Sequence, residues 1–229
     1  DPACGCGNFL IITYRELRKL ELEVIKMLVD NNHQLVMDIS MYFEVNVDQF
    51  YGIEIEEFPS QIAQTGMWLI DHQMNQLASI HFGRYIYRLP LRQSATIING
   101  NALTIDWNNI VPSNELSYIL GNPPFIGARL MNTEQKQEVR SVFGDIRGVG
   151  NLDYVSAWYK KAVDYMNGTN IKAAFVSTNS ISQGEQVPIL WKNLFEYNNF
   201  HIDFAHRTFI WNNEARGNAA VHCVIIGFS

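Results

Sequence analysis

The clearest chemical signal in this sequence is a four-residue turn made of Asn122, Pro123, Pro124 and Phe125. An amine conjugated with an aromatic ring is a poor nucleophile, because its nitrogen lone pair is delocalised into the ring. Two oxygen acceptors that bind its two N–H groups favour a more tetrahedral nitrogen, and the Asn122 side chain and the Pro123 carbonyl can supply them. The prolines stiffen the turn, since each ring fixes φ. The turn therefore predicts electrostatic stabilisation of an attacking amine, without a general base.

The same four residues also have an ordinary structural interpretation. A strand can end at an Asn-Pro turn, and two consecutive prolines continue neither a central strand nor a helix. The chemical interpretation gains support from the position of the turn, directly after the apolar run Leu116–Leu120, in a chain that opens with a second ligand-type loop. We therefore expect a rigid catalytic loop at the carboxyl end of a strand.

That second loop is glycine-rich and occupies Asp1–Leu10, with Gly5 and Gly7 at the turn into a predicted helix. Glycine permits positive φ and lets a ligand approach the backbone closely. A dinucleotide fingerprint requires a further glycine three residues after the second, where this sequence has Leu10, so nicotinamide binding is disfavoured. Taken alone, a Gly-x-Gly pair is most often an ordinary turn.

Glu54 comes at the end of the predicted strand Phe50–Ile55. A carboxylate in that place can accept hydrogen bonds from both hydroxyls of a ribose, as it does in dinucleotide-binding folds. A solvated acid at a strand end is the alternative. Glu56 is nearby but less well placed.

Cysteine and histidine do not indicate a metal site. Cys4 and Cys6 could form half of a zinc site, but Cys223 is the one other thiol in the sequence, and the six histidines lack metal-ligand spacing. The odd number of cysteines fits a reducing cytoplasm. We therefore expect neither a bound metal nor a structural disulfide.

The composition is that of a globular protein of 26.3 kDa, with 47% hydrophobic and 17% charged residues. No apolar run reaches the roughly 18–20 residues that span a bilayer, and Asp1–Gly5 does not resemble the start of a signal peptide. The net charge of −6 argues against a self-sufficient nucleic-acid binder, because phosphate contacts require clustered Lys and Arg.

Strand-like runs alternate with helical patterns, which predicts one α/β domain over residues 1–229 around a mostly parallel sheet. Helices are predicted at Phe9–Val29, from Phe58 onward, at Leu152–Met166 and at Pro188–Asn198. Strands are predicted at Phe50–Ile55, Ala95–Asn99, Leu116–Leu120 and Ile171–Thr178, with a terminal pair at His201–His206 and Ala220–Phe228. The first helix has apolar residues along one side, which predicts burial of Leu10, Tyr14, Leu17, Leu20, Val24 and Leu28.

Two stretches depart from this alternation. Leu130–Gly150 is polar and contains glycine, so it is predicted to be a surface excursion. The opening loop has no strand before it, although a ligand loop of this kind normally follows one. We therefore expect the first strand of the sheet to be missing and this chain to be a piece of a longer protein.

The decapeptide Asp1–Leu10 resembles the S-adenosylmethionine loop of amino-methyltransferases that act on DNA, and Gly52–Ile55 resembles their ribose-binding segment. The resemblance implies a Rossmann-like class I S-adenosylmethionine-dependent methyltransferase fold. It also implies that Asp1 contacts the methionine end of the cofactor, and that Asn101 binds its adenine amine where the family commonly has Asp. Asp106 is a weaker candidate for that role. The implied cofactor-binding residues are Asp1, Ala3, Cys4, Gly5, Gly7, Phe9, Glu54, Ile55, Asn101 and Ala102.

The turn at Asn122–Phe125 resembles the catalytic motif of N6-adenine DNA methyltransferases of the γ class, in which the cofactor loop precedes the catalytic loop. An adenine inside a duplex cannot reach such a pocket, so the resemblance implies that it is flipped out. Stacking on Phe125 would then contribute ~1–3 kcal/mol. Phe204–Val221 resembles the segment that brings a second aromatic to the base, here Phe209 or Trp211. Either residue could equally belong to the core.

Gly150–Val155 and the final segment further resemble restriction-modification enzymes of the MmeI type (type IIG/IIL), in which nuclease, methyltransferase and target-recognition domains share one chain. This implies a bacterial cytoplasmic protein that binds double-stranded DNA mainly through a recognition domain outside these residues. It also allows a fused nuclease in the full-length protein. A recognition domain elsewhere would account for the acidic charge of this part.

Two other functions fit the same residues. Asn-Pro-Pro-aromatic turns also occur in methyltransferases that act on an rRNA base or on a protein glutamine amide. A non-catalytic module that retains the fold for DNA or subunit binding is a third reading, from a different class. The opening loop and the final aromatic segment favour DNA, and the intact tetrapeptide favours an enzyme.

Overall fold

The computed structural model describes residues 1–32, 42–83, 94–196, 200–211 and 221–229. It divides into two compact units, the first made of Asp1 with Ala3–Gly100 and the second of Pro2 with Asn101–Ser229. Strands and helices occur in both units, which confirms the predicted α/β class. None of the helices in these ranges combines the length and the apolar character needed to cross a bilayer.

The described part of the first unit has a parallel pair of strands and two long helices. Its elements are α1 (Asn8–Asn32), β1 (Tyr51–Glu54), α2 (Glu57–Phe82) and β2 (Thr96–Asn99), with a 3-10 turn at Val47–Gln49. Glu54 lies opposite Asn99 in the parallel register, so the carboxyl ends of the two strands are side by side. A parallel pair requires a long crossover, which here contains α2. The βαβ order predicted for this part of the chain is therefore confirmed.

The buried face of α1 differs from the apolar side that the sequence predicts. Four of the six predicted residues are between 41% and 58% exposed, namely Leu17, Leu20, Val24 and Leu28. The buried face consists of Leu10, Tyr14, Arg18, Leu22 and Ile25. Arg18 is fully buried, donates to Glu21 Oε2 at 2.7 Å and to Asn75 Oδ1 at 3.2 Å, and lies 4.4 Å from the centre of the Phe43 ring. Apolar periodicity alone does not find a face that includes a buried charged residue.

Within the described residues, the second unit has a four-stranded mixed sheet and three α-helices. The elements are β3 (Tyr118–Gly121), α3 (Thr133–Phe143), α4 (Ser156–Met166), β4 (Lys172–Thr178), α5 (Gln186–Phe195), β5 (Ile202–Trp211) and β6 (Val221–Phe228). Short 3-10 turns lie at Trp107–Asn109, Ser113–Glu115, Val149–Asn151 and Asn179–Ser182. The strand order is β3-β4-β6-β5, and β3 runs parallel to β4.

The remaining pairs of this sheet, β4 with β6 and β5 with β6, are antiparallel. The predicted terminal strand pair is therefore confirmed. The expected predominance of parallel strands is not, because among the described residues two of the four strand pairs are parallel. The predicted end of a helix at Asn198 and the predicted start of a strand at Ala220 lie outside the described residues.

α3 corrects the prediction for Leu130–Gly150, to which no helix was assigned. The Asn132 side chain accepts from Gln135 N at 2.8 Å, and the Gln135 side chain accepts from Asn132 N at 3.0 Å. This reciprocal capping box satisfies two free amides at the start of the helix. Val139 and Phe143 are its buried residues, too few to give a clear apolar period. The Asn-x-x-Gln spacing is the sequence signal that could have located it.

Aromatic residues form the core of the second unit around Tyr159 of α4. Its ring lies 5.3 Å from Phe175, 5.7 Å from Trp191 and 5.3 Å from Phe228, measured between ring centres. The Tyr159 hydroxyl forms a 2.7 Å hydrogen bond with Ser177 Oγ, and burial raises the pKa of Tyr159. This packing fixes β4 and, through it, the parallel neighbour β3.

Candidate functional site

The opening loop is attached to β1 by backbone hydrogen bonds. Ile53 N donates to the Asp1 carbonyl and Cys4 N donates to the Ile53 carbonyl, both at 3.0 Å. The Asp1 side chain accepts from Ala3 N through Oδ1, also at 3.0 Å. The path of the loop is therefore set by β1. The Asp1 carboxylate keeps capacity to accept further hydrogen bonds.

Both glycines of the loop adopt backbone conformations that other residues rarely take. φ is 52° at Gly5 and 84° at Gly7. A Cβ atom on Gly7 would lie 3.0 Å from Ala63 Cβ on α2, whereas a Cβ on Gly5 would meet nothing within 4 Å. Gly7 therefore allows close packing against α2, and Gly5 borders open space into which a ligand could fit.

Cys4 is buried and packs against β1. A Cβ on Gly52 would lie 2.8 Å from Cys4 Sγ, so the thiol fills the space above that strand residue. Burial raises the pKa of the Cys4 thiol to about 11. Cys223 is also buried, whereas Cys6 is exposed. Across the described ranges, no group of three or more His, Cys, Asp or Glu residues is placed to hold a metal.

Glu54 is held at the end of β1 by two backbone amides. Its Oε2 accepts from Gly5 N at 2.8 Å, and its Oε1 accepts from Glu56 N at 2.9 Å. The Asn99 side chain donates to the carbonyls of Glu54 and Ile55 at 3.1 and 2.9 Å. The carboxylate is thus oriented beside the glycine loop, and each oxygen can accept another hydrogen bond. Ile55 follows it and is 60% exposed.

Asn101, in the second unit, belongs to a short polar chain. Its Oδ1 accepts from Leu103 N at 2.9 Å, and its Nδ2 donates to Glu138 Oε1 at 2.5 Å. The Tyr154 hydroxyl donates to Glu138 Oε2 at 2.5 Å, and burial together with this hydrogen bond raises the pKa of Tyr154. Glu138 was not among the predicted site residues, because α3, the helix that carries it, was not predicted. A role for Asn101 toward a cofactor stays a prediction.

The two neighbouring candidates have structural partners. Ala102 is buried, and its carbonyl accepts from the Trp107 indole at 2.9 Å. Asp106 caps the 3-10 turn at Trp107–Asn109, where its Oδ1 accepts from Asn108 N at 3.0 Å. Both residues therefore help to fix the chain that follows β2.

The turn at Asn122–Phe125 follows directly on β3, as predicted. Asn122 Oδ1 is buried, and no hydrogen-bond donor among the described residues is paired with it. An unpaired buried acceptor costs about 1–3 kcal/mol, so it requires an explanation. Pro123 is buried, Pro124 is exposed and Phe125 is half-buried. The turn thus presents a buried oxygen that is free to accept a hydrogen bond.

The two aromatic candidates lie on β5. Phe209 is half-buried, pairs with Cys223 across the sheet and meets the His206 ring edge-to-face, with 5.7 Å between ring centres. Trp211 is the last residue of β5 and pairs with Val221, but its side chain lies outside the described part. So does the neighbouring predicted segment Arg216–Ala220. The assignment of the second aromatic to Phe209 or Trp211 therefore stays open.

The predicted residues fall into two groups, each within one unit. Asp1, Gly5 and Glu54 meet at the carboxyl end of β1 in the first unit. The tetrapeptide Asn122–Phe125 follows the carboxyl end of β3 in the second unit, which also contains Phe209. Carboxyl ends of parallel strands are where open α/β sheets bind ligands.

Comparison with known proteins places the whole chain in one family. The sequence model of the family described as "MmeI, DNA-methyltransferase domain" matches residues 1–229. A relative named DNA methyltransferase A, from Bacillus subtilis (strain 168), is 43% identical over an alignment of 231 residues, which covers 100% of this chain and 26% of that protein. This chain therefore spans about a quarter of the length of that relative.

Solved structures agree with this match. The type IIL restriction-modification enzyme MmeI, in complex with DNA, is 56% identical with a TM-score of 0.93, over 100% of this chain and 30% of that one. The ATP-dependent type ISP restriction-modification enzyme LlaBIII, bound to DNA, shares the fold at 15% identity, with a TM-score of 0.58 over 100% of this chain and 16% of that one. The family model matches all 229 residues, and two relatives are 43% and 56% identical to this chain. This chain therefore belongs to the MmeI DNA-methyltransferase domain family.

Proposed function

We propose that this chain transfers a methyl group from S-adenosylmethionine to the exocyclic N6 amine of an adenine flipped out of DNA, as part of a restriction-modification protein. The observation that carries the proposal is the buried, unpaired Oδ1 of Asn122. Such an acceptor suits a donor that arrives with the substrate. An exocyclic amine conjugated with a ring brings two N–H donors to a turn that offers two oxygens.

Asn122 and Pro123 act on the amine by orientation and by charge. The Asn122 side chain accepts one N–H group and the Pro123 carbonyl accepts the other, which draws the nitrogen toward tetrahedral geometry and turns its lone pair out of the ring plane. Positive charge develops on the nitrogen as its new bond to carbon forms, and the two fixed oxygens stabilise that charge. The surplus proton then leaves to water, so no general base is needed. Phe125 offers a ring face on which the adenine stacks.

The first unit contains residues that fit S-adenosylmethionine. Glu54, oriented by two amides, retains acceptor positions for both ribose hydroxyls. The open space at Gly5 admits a ligand against the loop backbone. The Asp1 carboxylate suits the ammonium group of the methionine end, and Ile55 offers an exposed apolar contact. When bound, this cofactor would supply a methyl group on a positively charged sulfur, and the carbon–sulfur bond would break as the nitrogen–carbon bond forms, its electron pair staying on sulfur as a neutral thioether. The fold we propose is the Rossmann-like class I fold that binds it.

Most of the DNA contacts are proposed to lie outside this chain. Its net charge of −6 provides little attraction for phosphate. It covers only 26% and 30% of the two most similar relatives described above, which leaves length in such proteins for a recognition domain and a nuclease. We further propose that the second aromatic on the flipped base is Phe209 or Trp211, and that the protein works in the bacterial cytoplasm.

The test is methyl transfer from labelled S-adenosylmethionine to DNA by the full-length protein. Asn122→Ala should lower the single-turnover rate by about 10²–10³-fold, the range measured when one preorganised polar group of a catalytic site is removed. Asn193→Ala is a matched control, because Asn193 on α5 also has a buried, unpaired Oδ1. It should transfer at the wild-type rate.

Digestion of the product identifies the target. The proposal expects N6-methyladenine, and methylcytosine would overturn the assignment of the base. Equal rates for wild type and Asn122→Ala would refute the mechanism. Labelling of rRNA or of a glutamine peptide, with none in DNA, would instead favour the related methyltransferases considered above.

A further inference from the structure

The segment after the catalytic turn is anchored by one buried carboxylate. Asp153 is 7% exposed and precedes α4. Its Oδ1 accepts from Ala128 N at 3.0 Å, and the next residue, Tyr154, donates its backbone N–H to the Ile126 carbonyl at 2.9 Å. Phe125 is therefore followed at once by backbone that is bound at two points.

The same carboxylate is fixed on its other side by the end of β4. Asp153 Oδ2 accepts from Thr178 Oγ1 at 3.2 Å and from Ser180 Oγ, and these two hydroxyls are themselves 2.6 Å apart. The Asp153 backbone N–H donates to Gln186 Oε1 at 3.0 Å. Hydrogen bonds to an ionised acceptor are stronger than those between neutral groups. Two separate chain segments thus converge on the Asp153 side chain, and a third segment, through Gln186, binds the backbone of the same residue.

The backbone is held by hydrogen bonds at both ends of the Asn122–Phe125 turn. At one end, Gly121 pairs with Phe175 in the parallel β3–β4 ladder. At the other end, Ile126 and Ala128 are bound to the Asp153–Tyr154 pair. β4 takes part in both attachments, through its ladder and through Thr178. The backbone on both sides of Asn122–Phe125 is therefore held by hydrogen bonds, which limits how far the turn can move as a unit.

We infer that Asp153 is the positioning residue of the catalytic turn: it holds the turn so that the oxygens of Asn122 and Pro123 meet the amine in the attacking geometry. The inference rests on the proposed function. Asp153 contacts the loop backbone rather than the reacting atoms, so its loss acts on the rate of transfer through Asn122 and Pro123. Displacement of a reacting group by about 1 Å costs about 10²-fold in rate.

Two substitutions in the full-length protein test this role. Asp153→Ala removes all three accepted hydrogen bonds and should lower the single-turnover rate by about 10²-fold, with the Kd for S-adenosylmethionine within about twofold of wild type. Asp153→Asn keeps an oxygen for Ala128, but its amide must donate to the Thr178 and Ser180 hydroxyls. The single-turnover rate of Asp153→Asn should therefore fall by about tenfold, to a value between those of wild type and Asp153→Ala.

Ser177→Ala is the matched control, since Ser177 is fully buried on β4 next to Thr178 and bonds to Tyr159 rather than to the loop. It should lose folding stability and keep the wild-type rate. A wild-type rate in Asp153→Ala, or a slowing in Ser177→Ala in proportion to its lost stability, overturns the inference. If Asp153→Ala does not fold, Asp153→Asn decides alone, and a wild-type rate there is the overturning result.

The two proposals fail in different ways. If wild type methylates adenine and Asn122→Ala does not, but the Asp153 variants react at full rate, only the positioning role is wrong. If wild type transfers no methyl group to DNA, the proposed function itself is wrong.

Discussion

Removing the charge of Glu54 should weaken cofactor binding through the loop that this residue orients. Glu54 accepts from Gly5 N at 2.8 Å and from Glu56 N at 2.9 Å. In Glu54→Gln, one of the two acceptors becomes an NH₂ group, which cannot accept and faces a backbone N–H. The same NH₂ group cannot accept from a ribose hydroxyl, so one hydrogen bond between the cofactor and a charged acceptor is lost, about 1.5–3 kcal/mol of binding free energy. The remaining bond becomes a weaker neutral one.

The measurement is calorimetric titration of the full-length protein with S-adenosylmethionine. Since 1.4 kcal/mol corresponds to a tenfold change, the Kd of Glu54→Gln should rise by roughly 10–150-fold. Glu57→Gln changes the net charge by the same amount three residues further along the chain, at the start of α2. The Glu57 side chain is exposed and accepts a 3.2 Å hydrogen bond from Gln61. That control should leave the Kd within about twofold.

Two results would refute this reasoning. A Kd for Glu54→Gln within about twofold of wild type would mean that the carboxylate neither orients the loop for the cofactor nor binds it. An equal rise of the Kd in Glu57→Gln would mean that the effect comes from long-range charge rather than from the local geometry at Gly5. Raised salt would screen such a long-range effect.

Three further predictions concern stability and reactivity. Arg18→Ala should lower the free energy of unfolding by about 3–5 kcal/mol, because it leaves a buried network without its cation; urea denaturation measures this, and a loss below about 1 kcal/mol would contradict it. Gly7→Ala should cost more than about 2 kcal/mol in the same assay, since strain at positive φ adds to the contact with α2, whereas Gly5→Ala should cost about 1 kcal/mol because its surroundings are open. At pH 8 a thiol reagent should modify the exposed Cys6 well before Cys4, whose pKa of about 11 leaves roughly one thiolate in a thousand, as followed by peptide mass spectrometry. Equal rates for the two thiols would contradict the burial of Cys4.

Local sequence patterns were sufficient to place Asn122–Phe125 and Glu54 in the fold. Asn122 follows a strand that two prolines must end, and Glu54 is the last residue of β1. Both positions depend on short-range rules, namely the restricted φ of proline and the apolar run that precedes each site. This is why their places in the fold were predicted correctly.

Contacts between distant segments explain what the sequence did not reveal. Arg18 is buried because Glu21, Asn75 and the Phe43 ring surround it, and a single-helix pattern treats it as a solvent-facing residue. Asp153 obtains its role from hydroxyls at the end of β4, 25 and 27 residues further along the chain. Such partners become neighbours only after folding, so a motif that names one member does not identify the others.

Under the proposed function, the unpaired oxygen of Asn122 means that folding and methyl transfer make opposite demands on this turn. A side chain of similar shape without the polar oxygen would be better tolerated in the free protein, so selection for heat resistance alone would remove the asparagine. Target DNA that brings an amine to this oxygen should therefore raise the melting temperature more than DNA with the same phosphates and no target base. The shift in melting temperature would then report recognition of the target base separately from attraction to the DNA phosphates.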